Sequence, residues 1–390
     1  MRINRVLIYD KRGMVLFSSL LLVSLLMAAG MGAFILIQND YRITANLRQA
    51  TAVFYLADAG IEWGKEQISQ TAIYPPRPTD RVQSLSSGSF AVSFPSSTTV
   101  TPLSARVIIR STGSLGASSQ AIEAQVTKTY EIADGAIGLR GAGATVGFSG
   151  SSFFVSGIDY DPITGEAITG AKPRSAVSVS NTMLQARVET ELGTLQGGNI
   201  VSGEGYSAIS HSDLIPSETI TRLANDLCNA PHAVSMVIPA AGTLSVGGQT
   251  WGSRSAPQLH CVDGLSGSGD FVSVDGAFSG VGILVVRNAE LVATSTFRWE
   301  GLIVVTGADI GFRVAGAENK EVYGAVMINE TGPTGSIGPP VLAFHGAIRI
   351  LYSRSALSQV TALLPPSTLE TAYASLPVTI KQDYWKTVSP

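Results

Sequence analysis

The sequence predicts an α+β protein: a long N-terminal transmembrane helix, a small antiparallel sheet, and then a β-rich C-terminal domain. Three observations carry this. No charged residue occurs from Met14 to Ile37. No proline interrupts the chain from there to Gln70. Beyond residue 131, glycine punctuates short runs of Val, Ile and Leu, and the chain holds 41 glycines in 390 residues. The layout read from these features is a basic leader over 1–13, a membrane helix over 14–37 and its exposed continuation over 38–70. An antiparallel sheet over 71–130 and a Gly-rich β domain over 131–390 complete it.

A bilayer core needs about 20 apolar residues to be crossed, and only a helix or a closed barrel satisfies its own backbone there. Met14–Ile37 meets the length. Its polar side chains, Ser18, Ser19 and Ser24, can bond back to their own helix. Arg2, Arg5, Lys11 and Arg12 precede the run, and the nearest basic residues beyond it are Arg42 and Arg48. That bias puts the N-terminus in the cytoplasm, exports the rest of the chain, and gives Lys11 and Arg12 the part of orienting insertion. Ala28-Ala29-Gly30 and Gly32-Ala33 also offer small residues for a signal-peptidase cut, although the apolar run exceeds the usual h-region.

The helix continues past the membrane. Leu47, Phe54, Ile61 and Ile68 recur at seven-residue intervals, with Ala50, Ala57 and Gly64 between them, a narrow apolar stripe for packing. Tyr74-Pro75-Pro76-Arg77-Pro78 ends it. This N-terminal region resembles a type IV prepilin. Arg12-Gly13-Met14-Val15, Asn46-Leu47-Arg48 and Ala57-Asp58-Ala59-Gly60 are similar to the PilX-type minor pilins, over about residues 10–65. The resemblance implies cleavage after Gly13 by a prepilin peptidase and methylation of Met14. It also implies a single-pass protein of the bacterial inner membrane, its C-terminal domain in the periplasm. Its partners would be membrane lipid and other pilins or pseudopilins met through the helix, and it would join an extracellular filament. Two departures stand out. The glutamate that major pilins carry five residues into the mature chain is replaced by Ser18. The family's Ala-Glu-Ala-Gly reads Ala57-Asp58-Ala59-Gly60. A carboxylate in lipid costs roughly 2.5–3.5 kcal/mol, and in pilins it pairs with a subunit's terminal amine. A subunit lacking it suits an assembly, initiation or tip role in a pilus or related secretion filament better than the bulk repeat.

After a polar linker over 71–88, Ser89–Phe94, Ala105–Ser111 and Gln120–Thr129 alternate apolar and polar residues as strands do. Thr112-Gly113-Ser114-Leu115-Gly116 suits a hairpin turn. The sheet is expected to pack on Val53, Phe54 and Ile61. Farther on, Gly282-Ile283-Leu284-Val285-Val286, Gly301-Leu302-Ile303-Val304-Val305 and Gly324-Ala325-Val326-Met327-Ile328 read as a repeat in which glycine opens each strand. The segments Gly135–Gly157 and His345–Ile350 have the same texture. Two architectures fit: a short parallel β-helix, in which a unit buries its face only by stacking on the next, and an antiparallel sandwich. Pro216–Leu227, with Ser217 as N-cap, and Ser353–Leu364 read as helices. The tail Thr379–Val388 reads as a closing strand at a coil end.

The net charge of −3, with 14% charged residues, argues against a nucleic-acid partner. Cys228 and Cys261 lie in the exported part. A disulfide between them would close a loop of about 34 residues, worth roughly 3–4 kcal/mol by the loop-entropy argument; the alternative is two free buried thiols. Neither Gly-x-Ser-x-Gly nor a phosphate-binding loop occurs. Gly141-Ala142-Gly143-Ala144-Thr145-Val146-Gly147 lacks the sixth-position glycine of a dinucleotide loop. His211, His232, His260 and His345 have no metal-ligand spacing. Asp159-Tyr160-Asp161-Pro162-Ile163-Thr164-Gly165-Glu166 comes nearest to a calcium loop, but Ile163 stands where a ligand is wanted, and an acidic surface turn explains it. Asp275, Arg287, Arg298 and Asp309 are too scattered to make a catalytic cluster. The expectation is a protein without cofactor, metal or enzymatic activity. The alternatives are an exported carbohydrate-active β-helix enzyme, or an adhesin, on a pilin-like anchor.

Overall fold

The structure is a computed structural model of the 390-residue chain. It describes the chain outside residues 1–10, 72–74, 77, 87, 102, 142, 150–151, 172, 194–199, 202–206, 213, 241, 266–268, 333–340, 365–377 and 390. One helix, α1, runs unbroken over Lys11–Gln70, close to 90 Å at about 1.5 Å per residue. Its Val15–Gln70 portion is long and apolar enough to cross a membrane. From Val15 to Arg48 every residue is exposed.

The antiparallel sheet begins with β1 (Arg81–Leu85), β2 (Gly88–Thr101), β3 (Ser104–Leu115) and β4 (Ser118–Tyr130). They pair in sequence order. The expected strands fall within β2, β3 and β4, whereas β1 lies in the stretch read as linker. Its polar RVQSL carries little strand pattern, and pairing with β2 rather than side-chain burial holds it. Burial alternates along β3 from Ser104 to Ser114 and along β4 from Ile122 to Tyr130. Val107, Ile109, Ile122, Ala124 and Val126 turn inward and meet Ala57, Ile61 and Ile68 of α1, with Phe90 and Val92 of β2. The two surfaces approach closely because small residues line the contact: a Cβ on Gly60 would stand 2.1 Å from Ser111 Oγ, and one on Gly113 would stand 2.3 Å from the Val53 carbonyl oxygen.

The remaining elements in chain order are β5 (Gly135–Arg140), β6 (Val146–Phe148), β7 (Phe153–Ser156), β8 (Ser175–Val179), α2 (Thr182–Gly193), β9 (Ile200–Val201), β10 (Ile209–His211) and α3 (Ser217–Cys228). There follow β11 (Val234–Val237), β12 (Thr243–Ser245), β13 (Thr250–Trp251), β14 (Gln258–Asp263), β15 (Phe271–Val274), β16 (Phe278–Arg287) and β17 (Glu290–Ala293). Last come β18 (Phe297–Gly307), β19 (Gly311–Val314), β20 (Lys320–Glu330), β21 (Leu342–Phe344), β22 (Ile348–Tyr352), α4 (Arg354–Val360) and β23 (Val378–Val388). From β14 to β21 the chain alternates between a 12-stranded and a 6-stranded sheet, so each passage lays one strand on each. Their pairings are parallel throughout, which rules out the antiparallel sandwich. Parallel strands buried on both faces explain the near-continuous apolar runs.

The winding is not monotonic. β5 lies between β8 and β20. The chain therefore starts inside the stack, builds outward through β8 to β10, crosses over by α3 to the far end at β11, and winds back until β20 meets β5. The repeat spacing appears directly in the register, where Gly282 faces Gly301 and Gly301 faces Gly324. These glycines do not open the strands, however. They sit in mid-strand with φ of +153°, +129° and +138° and bend each one. A Cβ at Gly324 would lie 1.9 Å from the Gly301 carbonyl oxygen, and one at Gly301 would lie 2.1 Å from that of Gly282.

Three further expectations change. The tail β23 does not close the coil. It pairs antiparallel with β4 as the fifth strand of the first sheet, so residues 378–388 leave the 131–390 unit and return to the helix. There the Trp385 ring meets Phe54 edge-on at 6.0 Å. Ser217 is not the N-cap of α3. Pro216 holds that position, and the Ser217 hydroxyl donates to Asn329 Oδ1 instead (2.6 Å). α2 was absent from the sequence reading; Asn181 opens it, Oδ1 accepting from the Leu184 N–H (2.8 Å).

Candidate functional site: the helix and its junctions

The processing and insertion residues Lys11, Arg12, Gly13 and Met14 form the first turn of α1; their side chains lie outside the described residues, as do residues 1–10 of the leader. Within the apolar run, each serine hydroxyl donates to the carbonyl three residues earlier: Ser18 to Val15 (3.1 Å), Ser19 to Leu16 (2.9 Å) and Ser24 to Leu21 (2.9 Å). Each hydroxyl of the run thus has a backbone acceptor of its own, as an apolar medium would require of it.

Of the three stripe residues proposed for packing, two reach the sheet. Ile61 is buried and Phe54 half-buried against it. Leu47 is 62% exposed, because the sheet ends beside Gln49, whose Nε2 donates to the Leu115 carbonyl (3.1 Å). Below that point α1 is a bare neck. Tyr41, Ile43 and Leu47 stand in the open. Thr44, Leu47, Arg48, Thr51, Ala52 and Tyr55 line a shallow groove along it.

The upper end of α1 is closed by a residue the sequence reading missed. Lys128 of β4 is fully buried, and its ammonium donates to three carbonyls at the helix end: Ile68 (2.7 Å), Ser69 (3.2 Å) and Thr71 (2.7 Å). The last carbonyls of a helix have no partners of their own and carry the negative end of its dipole, so the cation answers both. The Tyr130 ring lies 4.7 Å from Nζ. Burial pushes the Lys128 ammonium down to about 8. Alternation along β4 from Ile122 to Tyr130 was the available signal: Lys128 occupies an inward position between Val126 and Tyr130.

Cys228, the last residue of α3, and Cys261 in β14 are joined as a disulfide, with Cα atoms 5.5 Å apart. The acidic stretch 159–166 is a tight hairpin. The Tyr160–Ala167 bridge closes it, and Asp161 Oδ1 accepts from the Ile163 N–H (2.8 Å). Asp159 faces elsewhere, taking the Arg354 N–H (2.9 Å) and its guanidinium (3.5 Å). Burial raises its pKa, and Arg354 pulls it back. The two aspartates therefore do not converge. Among the described residues no group of three or more His, Cys, Asp or Glu side chains has the arrangement of a metal site. The four histidines stand apart on different partners: Ser180, Leu363, Gln258 and Ser149.

The residues judged too scattered to cluster do not assemble with one another, but Arg298 gathers others around it. Parallel register stacks Arg298 on Glu321 and Glu321 on Arg349, with ion pairs of 3.0 and 3.1 Å. Glu300, nearly buried, takes Arg254 through both oxygens (2.7 and 2.8 Å) and Arg298 at 3.1 Å. Arg254 and Arg298 both donate to the Pro162 carbonyl (2.9 and 2.8 Å), which seats the hairpin on the coil. Both carboxylates of the ladder are engaged by arginines, an arrangement suited to holding coils together rather than to moving protons.

A second buried network lies on β5 and β8. Arg140, 1% exposed, donates to Asp134 Oδ2 (2.7 Å) and to the Ser178 and Ile215 carbonyls (2.9 and 2.8 Å). Ser178 and Ser212 also donate to Asp134 Oδ2, each at 2.7 Å. Where the first sheet meets the coil, Glu131 pairs with Arg174 and accepts from Thr379 (2.8 Å). A cavity of about 440 Å³ opens beside it, between Thr129–Ile132 and the Tyr352–Thr361 stretch.

No family model matches the chain, and no curated protein does. Among solved structures, the crystal structure of the competence-associated pilin ComZ from Thermus thermophilus is similar at 12% identity and a TM-score of 0.28. The match covers 87% of this chain and 97% of that one.

Proposed function

We propose that this chain is a minor pilin or pilin-like subunit that serves the assembly, initiation or tip of a type IV pilus or related secretion filament. The observation that carries the reading is α1: one 60-residue helix whose lower part is bare of protein and whose upper part is locked to its own antiparallel sheet. The lower part is the anchor, held in inner-membrane lipid and passed to the helices of other pilins on assembly. A prepilin peptidase cuts after Gly13 and Met14 becomes the methylated N-terminus. Ser18, its hydroxyl bonded within the helix, supplies no carboxylate for a neighbour's amine, which favours a minor subunit of the PilX type. The parallel stack is a short β-helix carried in the periplasm and then at the filament surface. Because Glu300 and Glu321 are both engaged by arginines, the ladder offers this reading no free acid or base.

The test is the intact mass and N-terminal sequence of protein from membranes and from sheared filaments. A chain that starts at methylated Met14 is expected, and Gly13→Asp should leave the leader attached. A start near Phe34, or normal mature protein from the Gly13→Asp variant, would overturn the reading.

A further inference from the structure

The crossing helix α3 lies over the strands it connects past. Four of its side chains that face the sheet are Ile220, Leu223, Ala224 and Leu227, all buried. Beside this apolar contact runs one polar column. Register places Arg140, Asn329, Thr306, Arg287 and Asp263 side by side on β5, β20, β18, β16 and β14. The helix meets that column along its length. The Ile215 carbonyl, just before α3, accepts from Arg140 Nε (2.8 Å). Asn329 Nδ2 donates to the Ser217 carbonyl (3.1 Å), Thr221 Oγ1 (2.8 Å) and Thr306 Oγ1 (3.1 Å). Arg287 donates to Asn225 Oδ1 (3.0 Å) and pairs with Asp263. Cys228 is bonded to Cys261 on the last of these strands.

The lengths agree. Ser217 to Cys228 measures about 17 Å at roughly 1.5 Å per residue. The three spacings from β20 to β14 measure about 14 Å at roughly 4.8 Å each. Less than one helical turn is to spare. We propose that α3 is a strap of measured length. It sets how far from β5 the chain starts its return, and so fixes the number of strands that fit between. Its near end is held by Asn329 and Arg140 and its far end by the disulfide. Arg140 is in place from the start, but Asn329 reaches the near end only when β20 arrives beside β5, so the strap and the closure of the stack hold each other in place. This inference concerns the coil alone and does not depend on the pilin reading.

The test uses the full chain in detergent micelles. Four residues inserted between Arg222 and Leu223 lengthen the strap by about 6 Å, more than one strand spacing. With Ser217 still on Asn329, Cys228 then overshoots Cys261. The expected result is two cysteines alkylated without reduction, where the parent chain shows none. An insertion variant that forms the disulfide fully and melts with the parent would overturn the proposal. A second measurement keeps the length unchanged, in case the insertion prevents folding. Asn329→Ala should cost amide protection at 219–221 while 225–228 keep theirs, and Cys228→Ser should do the reverse. Uniform loss across α3 in both variants would show an ordinary packed helix and also overturn it.

Discussion

The two β regions of this chain solve the same problem in opposite ways. The antiparallel sheet has one face to bury and one helix to bury it on, so its strands alternate: Ala105, Val107 and Ile109 point inward while their neighbours do not. The coil has two faces to bury on every long strand, and Ile283–Val286, Leu302–Val305 and Ala325–Ile328 are buried residue after residue. In the first region a strand depends on a helix across from it. In the second it depends on the copy of itself above and below, through backbones that approach so closely that a column of glycines must stand there. Substitutions at equivalent-looking places should therefore fail differently.

The largest effect is expected at that column. Gly301→Val would force a β-branched residue into a positive φ of 129° and drive its Cβ against the Gly282 carbonyl and Val360. Strain of this kind with a backbone clash belongs to the upper tail of single substitutions, on the order of 4 kcal/mol or more. Calorimetry should show the coil transition lost or strongly lowered, with the helix–sheet transition retained. A variant that melts within a few degrees of the parent would mean that the strands bend elsewhere.

The same comparison explains what was legible in the sequence. Alternation and the proline stop gave the helix, β2, β3 and β4, because one-sided burial writes a period into the chain. The glycine spacing gave the coil strands, but not the bend, since an apolar run does not say where a strand turns. β1 and β23 are edge strands held by backbone pairing and bury almost nothing, so they leave little pattern. This is why the tail was assigned to the wrong unit. Leu47 kept the heptad but lost its partner, because periodicity does not say where the opposing sheet ends. The ladder of Arg298, Glu321 and Arg349 exists only in register across coils. Two cysteines leave one possible pairing, but whether Cys228 and Cys261 bond was not legible in the sequence; the structure brings their Cα atoms to 5.5 Å and joins them.

A middle-sized effect should follow at the joint between helix and sheet. Lys128→Met leaves the Ile68, Ser69 and Thr71 carbonyls without their donor inside a buried site, at a cost of about 1–3 kcal/mol. The pH dependence sharpens the assignment. The folded pKa is pushed down to about 8, whereas the unfolded lysine keeps its ordinary value near 10.4. Between these values the unfolded chain binds more protons, so stability rises with pH there. The cost of burying the charge is in full force below pH 8 and is gone above about 10.4. Relative to Lys128→Met, the parent should therefore gain stability from pH 8 upward. A melting difference between the two that is flat over this window would mean that the carbonyls hold the ammonium as strongly as water does.

The smallest effect tests whether the coil's charged ladder matters beside its glycine column. Arg349 is half-exposed and touches Glu321 at a single 3.1 Å contact. Glu321 keeps Arg298 when Arg349 is removed. An exposed pair of this kind is worth roughly 0.2–1 kcal/mol and weakens with salt. Arg349→Ala should accordingly shift the denaturant midpoint slightly at low ionic strength and hardly at all in molar salt. If it cost more than about 2 kcal/mol, beyond the range of isolated exposed pairs, the ladder would be acting as one network in which Arg254, Arg298, Glu300 and Glu321 reorganise together. Stacking would then owe as much to charge across coils as to apolar contact and close backbone approach. A small, salt-sensitive effect leaves apolar burial and glycine as what makes parallel coils stack, and leaves the arginines to seat the hairpin at Pro162.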